Sequence, residues 1–277
     1  MESLRECFEK KYPKYVKLVD DYASANSLDN ADWDNITKVG LSNFVDYLED
    51  NCAQSSCKTY SAMFKSVLSR YSDEVELPKD YEKILSVKGC ISQNTWITDD
   101  EIERIISYNP IGAIEQIVRN QFILEATTGA RHSDIIKFTK SNIVDDRLIY
   151  VSQKTHIKSE IPLSGVVVRF LDDLEFVNRT ICPNTFNKYI RQICKNCGIT
   201  QKVKLFRHGI DCEGEKYEFI SSHSGRRSFA TNLYLRNADL YSISKLMGHS
   251  DVSTTVGYIC CGPRLTDKVL AYFKQFE

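Results

Sequence analysis

Apolar positions in the first third of the chain recur at the spacing of one helix face, so this region predicts helices and no strands. The pattern predicts helices over residues 8–22, 36–48 and 55–71. On the third helix the apolar residues share one side, while Lys58, Lys65 and Arg70 lie on the rest of its surface. We therefore expect residues 1–88 to form an all-helical domain with a basic side on its third helix.

A second domain, predicted over residues 98–277, follows a linker at 89–97 where the periodicity is weak. Thr98 and Glu101 form a capping box at its first helix, and Gly129 is placed to end its second helix, over 114–127. The remaining pattern predicts strands over 147–153 and 160–163, a hairpin or irregular stretch over 203–220, and helices over 166–174, 184–197, 224–235, 240–247 and 252–259. The chain thus reads as mainly α with a small β-sheet, of the α+β class.

The composition is that of a soluble globular protein, with 42% hydrophobic and 26% charged residues. No apolar run approaches the roughly 18 residues of a membrane span, and the first residues lack a signal-peptide core. We expect a cytoplasmic protein with reduced cysteines. Cys194 and Cys197 lie on an apolar helix face and have no second pair at that spacing, which predicts buried thiols and no metal site.

The distribution of charge bears on nucleic-acid binding. The net charge of −1 is low for a DNA-binding protein. Residues 1–94 carry 12 Lys and Arg against 16 Asp and Glu, whereas the remainder carries 24 against 21. The positive excess therefore lies in the second domain. A low net charge weakens non-specific DNA affinity without excluding a basic face.

Three short motifs in the second domain carry side chains suited to phosphodiester chemistry. Arg131 follows a helix-ending glycine, and His223 precedes Arg226 by three residues at the predicted start of a helix. His249, in a Gly-His dipeptide, precedes Tyr258 by nine residues. Arginine forks bind phosphate oxygens bidentately, and a tyrosine hydroxyl can act as a covalent nucleophile. Taken singly, arginines usually form ion pairs, histidines are usually structural, and tyrosines usually pack.

From about Thr98 to Tyr258 the combined motifs resemble the tyrosine recombinase (phage integrase) family. The resemblance implies an N-terminal helical core-binding (SAM-like) domain that clamps DNA and an integrase-type catalytic domain. It implies site-specific recombination through a 3′-phosphotyrosyl intermediate, with no cofactor and no metal. Many integrases of mobile elements carry a further N-terminal arm-binding domain. The pattern shows none here, as expected of a simple recombinase or a trimmed chain.

The resemblance also implies a role for each motif residue. Tyr258 is the expected nucleophile. Arg131 and Arg226 are expected to clamp the phosphate, and His223 is expected to accept or relay the tyrosine proton. His249 is expected to donate to a non-bridging phosphate oxygen.

Further residues have supporting roles by the same resemblance. Asp134 matches an acidic position that buttresses an active-site arginine or histidine, and Arg227 is expected to position backbone or DNA. The general acid for the leaving oxygen is expected in the polar turn between the two strands. Spacing favours Lys154 as this acid, and Lys158 in the same turn is the alternative. A further alternative is that neither lysine is the acid and that both are solvated or contact backbone phosphates.

The resemblance also predicts partners and rival functions. It implies a double-stranded DNA target site. The chain is expected to be a monomer when free and a homotetramer on DNA. Accessory DNA-bending proteins are possible further partners. Residues 263–276 have the pattern of an amphipathic helix, which in the family often docks on the neighbouring protomer. The alternatives are a type IB topoisomerase, which relaxes DNA as a monomer, and a catalytically idle DNA-binding relative.

Overall fold

The computed structural model describes residues 2–89, 92–207 and 210–261. The chain forms two compact units, one of residues 1–92 with 206–211 and one of residues 93–205 with 212–277. The break after residue 92 falls inside the stretch predicted as a linker. The predicted domain boundaries themselves stay a prediction.

The first unit is helical. Its helices α1 to α5 span Leu4–Lys11, Lys17–Ala25, Lys38–Asn51, Gln54–Arg70 and Tyr81–Ile84. Ser3 and Glu6 cap the start of α1 reciprocally. The single helix predicted over residues 8–22 is wrong, because a 3-10 turn at Pro13–Tyr15 separates α1 from α2. Proline has no backbone N–H and its ring clashes with the preceding turn, so the helix ends before it.

Aromatic rings form the centre of the first unit. The ring centroid of Phe64 on α4 lies 5.2 Å from that of Phe8, 5.3 Å from that of Tyr22 and 4.7 Å from that of Phe44. All four side chains are fully buried. Burying one such ring contributes about 1.5–3 kcal/mol, so this cluster joins α1, α2, α3 and α4 into one core.

The basic side chains predicted on the third N-terminal helix lie along α4. Lys58 and Arg70 are exposed. Lys65 is half-buried, and its Nζ donates to the Ser86 hydroxyl at 3.0 Å. Contact of these three side chains with DNA stays a prediction.

The second unit is built around one long helix. Its helices α6 to α13 span Asp99–Ser107, Ala113–Thr128, His132–Ile135, Gly165–Leu171, Pro183–Asn196, Ser222–Leu235, Leu240–Leu246 and Val252–Val256. The central helix α7 packs against α6, α9, α10 and α11. The Thr98–Glu101 capping box is present, and Gly129 ends α7 with φ of 66°, so both predicted helix boundaries are confirmed. A left-handed residue here is usually glycine because it has no Cβ to clash.

A small antiparallel sheet lies beside the helices. Its strands β1, β2 and β3 span Ile143–Val144, Arg147–Val151 and Lys158–Pro162, in that order in the sheet. Val151 pairs with Lys158, so residues 152–157 form the polar turn that the sequence predicts. The strand β1 has only two residues and carries no periodicity that could predict it. Mainly α with a small sheet is therefore the observed class, as predicted.

The chain after residue 200 follows the predicted order of elements. Strands β4 and β5, at Lys202–Arg207 and Ile210–Glu215, form the hairpin expected within residues 203–220. Helix α13 ends at Val256, three residues earlier than predicted. The amphipathic helix predicted at 263–276 lies outside the described residues. In the part of the chain that is described, no helix is both long and apolar enough to cross a membrane.

The predicted cysteine pair belongs to the core of the second unit. Cys194 is fully buried on α10 and Cys197 is half-buried just after it. Burial raises the pKa of both thiols above the ordinary value. Within residues 2–89, 92–207 and 210–261 there is no disulfide, and no group of His, Cys, Asp and Glu is placed to hold a metal ion.

Candidate active site

A cleft of about 370 Å³ in the second unit is lined by most of the predicted catalytic residues. It lies where the end of α7, the start of α8, the β2–β3 turn, the start of α11 and the residues after α13 come together. Five of the six predicted catalytic side chains line it: Arg131, Lys154, His223, Arg226 and Tyr258. These residues are separated by up to 127 positions in sequence, so their convergence is a property of the fold.

Arg226 is the most deeply buried cation of the cleft, with 2% of its surface exposed. Its guanidinium donates to the Gly129 carbonyl and, at 3.1 Å, to the Met247 carbonyl. These carbonyls belong to the cap residues of α7 and α12, where helix dipoles concentrate negative partial charge. No carboxylate among the described residues lies within ion-pair distance of Arg226. Burial lowers its pKa from the ordinary value, yet an arginine stays charged at neutral pH.

The charge of Arg226 is therefore held mainly by carbonyl dipoles. Among the described residues no carboxylate makes an ion pair with it, and the buried Glu125 acts on it without direct contact. A buried cation in that state favours an anion that enters the cleft.

His249 lies directly against Arg226. It is 3% exposed, with Nε2 2.8 Å from a guanidinium nitrogen of Arg226 and Nδ1 2.9 Å from the Thr255 hydroxyl. Arginine can only donate, so Nε2 is the acceptor and Nδ1 carries the proton. Burial first, and then Arg226 and Arg131, lower the pKa of His249 to about 4. The ring is neutral at pH 7. The resemblance implies that Nε2 donates to a phosphate. For this, Nε2 would have to gain a proton and give up its hydrogen bond from Arg226.

Arg131 is positioned through a serine. Its side chain donates to the Ser152 hydroxyl at 2.7 Å, and Ser152 donates to Oδ2 of Asp134 at 3.0 Å. The other carboxylate oxygen of Asp134 accepts from the backbone N–H of Gln153 at 3.0 Å. Asp134 thus fixes the β2–β3 turn and supports Arg131 indirectly. The contact between Asp134 and Arg131 is made through Ser152. That Asp134 supports Arg131 in catalysis stays a prediction.

Tyr258 follows α13 and lines the cleft. Its backbone N–H donates to the Thr255 carbonyl at 2.9 Å, which continues the last helical turn. Its half-buried ring lies 5.2 Å from the His249 ring and 5.3 Å from the Arg226 guanidinium carbon. The phenol is therefore held beside two of the predicted phosphate-binding side chains.

His223 lies at the rim, on the first turn of α11. Its side chain is exposed at the surface but partly enclosed by neighbouring atoms. This partial burial lowers the pKa of His223 from the ordinary value, and the positive charges of Arg227 and Arg226 lower it further. A neutral imidazole at pH 7 can accept a proton. Arg227 follows Arg226 on α11 and is not among the described residues that line the cleft. Its predicted DNA contact stays a prediction.

The two candidate lysines of the β2–β3 turn differ in position. Lys154 is exposed and lines the cleft with Tyr258. Lys158 begins β3, and its Nζ lies 2.7 Å from a carboxylate oxygen of Glu160. The geometry therefore favours Lys154 over Lys158 for a part in chemistry within the cleft.

The sequence interpretation missed a buried pair in the cleft wall. Glu125 on α7 is 1% exposed, and its Oε1 lies 3.0 Å from Nδ1 of His132. Burial raises the pKa of Glu125 to about 7, although His132 and Arg226 act to lower it. The available signal was a glutamate between Leu124 and Ala126, inside an apolar run where a charged residue is seldom buried without a partner.

Comparison with known proteins gives the family of the chain. The sequence pattern of the phage integrase family matches residues 95–261. Tyrosine recombinase XerD of Oceanobacillus iheyensis is 23% identical over 275 residues, covering 91% of this chain and 85% of that protein. Tyrosine recombinase XerC of Natranaerobius thermophilus is 24% identical over 245 residues, covering 82% and 79%.

Solved structures show the same fold. A lambda integrase dimer bound to a COC′ core site superposes with a TM-score of 0.65 at 17% identity, covering 93% of this chain and 95% of that one. A lambda integrase tetramer bound to a Holliday junction gives 0.63 at 17% identity, covering 91% and 79%. The matched family pattern spans more than half of the 277 residues and contains every predicted catalytic residue. The chain therefore belongs to the phage integrase family.

Proposed function

We propose that Tyr258 attacks a DNA phosphodiester in this cleft and becomes joined to the 3′ phosphate. As a member of the phage integrase family, the chain is a tyrosine-type site-specific recombinase. The observation that carries the assignment of residues is the contact of the Tyr258 ring with Arg226, a buried cation whose partners are carbonyls and a neutral histidine. A nucleophile and a buried positive charge thus meet at one point of the cleft.

In this proposal Arg131 and Arg226 bind the non-bridging oxygens of the scissile phosphate. Attack by the phenolic oxygen concentrates negative charge on those oxygens, and fixed donors that match this charge stabilise the transition state. Both arginines are held before the substrate arrives, Arg226 by two helix ends and Arg131 by Ser152. Little reorganisation is then needed during the reaction.

In this proposal His223 and Lys154 carry out the proton transfers. The tyrosine hydroxyl loses a proton as it attacks, and the departing 5′ oxygen gains one. The lowered pKa of His223 leaves its ring neutral and able to accept the first proton. Lys154, exposed in the same cleft, supplies the second. Religation reverses both transfers, with the 5′ hydroxyl attacking the phosphotyrosine.

We infer the substrate and the oligomeric state of this chain from its structural relatives. Lambda integrase has been solved as a dimer on a core site and as a tetramer bound to a Holliday junction. We extend to this chain a double-stranded DNA target and a homotetramer that exchanges strands in two steps. A topoisomerase activity or an idle DNA-binding role is not favoured, since the relatives are named as recombinases and five of the six predicted catalytic side chains line one cleft.

Trapping of the covalent complex tests this proposal without knowledge of the target. Wild-type protein and Tyr258→Phe are incubated with fragmented DNA from a broad pool, and adducts are recovered under denaturing conditions. Only the wild type should yield DNA-linked protein, and sequencing of the captured ends should converge on one site. Both proteins should bind that site with similar affinity, because phosphate contacts are retained when the hydroxyl is removed.

Tyr217→Phe is a matched control, since Tyr217 is in the same unit but outside the cleft. It should form the adduct at the wild-type rate. An adduct from Tyr258→Phe, or none from the wild type on any DNA, would contradict the proposal.

A further inference from the structure

The buried pair of Glu125 and His132 lies in the cleft wall and has no part in the mechanism above. Glu125 projects from the last turns of α7, and His132 is the first residue of α8. Both side chains line the cleft beside Arg131 and Arg226. A carboxylate that contacts an imidazole at 3.0 Å fixes the orientation of the ring and the site of its proton.

The packing of α7 on α11 is adapted to Glu125. Gly225 lies within α11, where glycine is destabilising relative to alanine. A Cβ at this position would lie 2.6 Å from Cβ of Glu125 and 2.8 Å from its Oε2. The absence of a side chain at Gly225 is therefore what allows the carboxylate to fit between the two helices.

His132 is held on two sides. Its Nδ1 contacts Glu125, and its ring meets the Phe186 ring edge-on, with centroids 4.9 Å apart. Its side chain remains 28% exposed, in the cleft. Nε2 has no hydrogen-bond partner among the described residues, so it is the ring nitrogen available to a ligand. Oε2 of Glu125 likewise has none.

The charges around the pair act on Glu125. Burial raises the pKa of Glu125, whereas His132 and Arg226 act to lower it. The charged groups nearest the pair are Arg226, which acts on Glu125, and His223, on which His132 acts, while Arg131 and Lys154 line the same cleft. A phosphate that enters the cleft adds negative charge and pairs with these cations. Its arrival therefore favours uptake of a proton by the pair.

We propose that His132 is a further DNA-contacting residue of this cleft, which donates from Nε2 to a phosphate oxygen of the substrate. Glu125 is its positioning residue, because it fixes the ring and keeps Nδ1 as the donor to the carboxylate. This inference rests on the proposed function, since it assumes that the cleft receives DNA. No covalent step is involved, and the proton that the pair takes up comes from solvent.

The pH profile of single-turnover cleavage tests the inference. The substrate is a nicked suicide duplex of the site recovered by adduct trapping, and the range is pH 5.5–8.5. His132→Gln should cleave about 10-fold to 100-fold more slowly than wild type at low pH, because the donor at Nε2 is lost. The difference in rate should narrow above about pH 7, where the pair loses the proton that Glu125 holds below that pH. Glu125→Gln should abolish this change near pH 7, and the double variant should be no slower than His132→Gln.

Glu115→Gln is the matched control. Glu115 is a buried carboxylate on the same helix, but it accepts from Tyr108 and from the backbone of Ile111, outside the cleft. Its replacement should lower thermal stability without changing the shape of the pH profile. A merely structural role for His132 would make His132→Gln behave in the same way, and that result would overturn the inference.

Proton uptake on DNA binding gives a second measurement that needs no substitution. The binding enthalpy of the wild type is measured at pH 7 in two buffers of different ionisation enthalpy. Uptake of a proton that disappears in His132→Asn supports the inference, and uptake unchanged in that variant overturns it. If the wild type binds DNA but forms no adduct, the proposed chemistry fails, while the uptake measurement still decides the role of His132.

Discussion

Arg131 is held by Ser152, whose hydroxyl accepts from the guanidinium at 2.7 Å and donates to Asp134 at 3.0 Å. Ser152 is fully buried just after β2, so this link joins Arg131, two residues past the α7 cap, to the β2–β3 hairpin. The arginine and the turn that carries Lys154 are therefore positioned by the same carboxylate, through Ser152 and through the backbone of Gln153.

Ser152→Ala should slow cleavage about 10-fold to 100-fold with little change in DNA affinity. The variant removes the acceptor that fixes Arg131 and leaves Oδ2 of Asp134 without its donor, which costs about 1–3 kcal/mol. Single-turnover cleavage and equilibrium binding on the trapped site separate the two effects. Ser159→Ala is the control, because Ser159 is a buried serine of the same hairpin, on β3, and takes no part in the link between Arg131 and Asp134. Equal cleavage by both variants would contradict a positioning role for Ser152.

The general acid can be identified by changing the leaving group. A 5′-bridging phosphorothiolate substrate departs as a thiolate that needs no proton, so it should restore cleavage by Lys154→Ala. The same substrate should leave Arg131→Ala slow, because charge stabilisation is still missing. Lys158→Ala should cleave the ordinary substrate at close to the wild-type rate, since Lys158 pairs with Glu160. Rescue of Lys158→Ala in place of Lys154→Ala would move the acid to that residue.

The pH dependence of stability should depend on Glu125. Its pKa is raised from 4.5 to about 7 in the folded protein, so its contribution to stability is complete below pH 4.5 and is lost as the pH rises through 7. His249 acts oppositely, because its pKa is lowered from 6.5 to about 4 and its neutral form is favoured by folding. Glu125→Gln should therefore gain stability relative to wild type between pH 4.5 and 7.5, by up to about 3 kcal/mol. Urea unfolding at four pH values measures this difference, and parallel curves for the two proteins would contradict it.

The sequence predicts what depends on local pattern and misses what depends on packing. The Thr98 capping box and the Gly129 cap were predicted correctly because each is a contact within a few residues. The early end of α13 and the break at Pro13 were missed although both are local, since the apolar period continues across them. A proline inside a helical pattern should have outweighed the period.

The site shows the same limit. The motif residues could be named from their spacing, but Ser152 could not, because only the fold brings it close to Arg131 and Asp134. Glu125 offered a signal as a charged residue inside an apolar run, but its burial and its contact with His132 appear only in the fold. Arg226 illustrates the difference most clearly. Its position was predicted, whereas its partners, the carbonyls of Gly129 and Met247, lie 97 and 21 residues away.

The central claim is that Tyr258 forms the bond to DNA, and peptide mapping of the trapped adduct tests it most directly. Trypsin cleavage after Lys245 and Arg264 releases residues 246–264, whose only tyrosine is Tyr258. After nuclease digestion of the bound DNA, mass spectrometry should find a nucleotide phosphate on this peptide, with fragmentation locating it at Tyr258. A nucleotide on any other peptide, with residues 246–264 unmodified, would contradict the account.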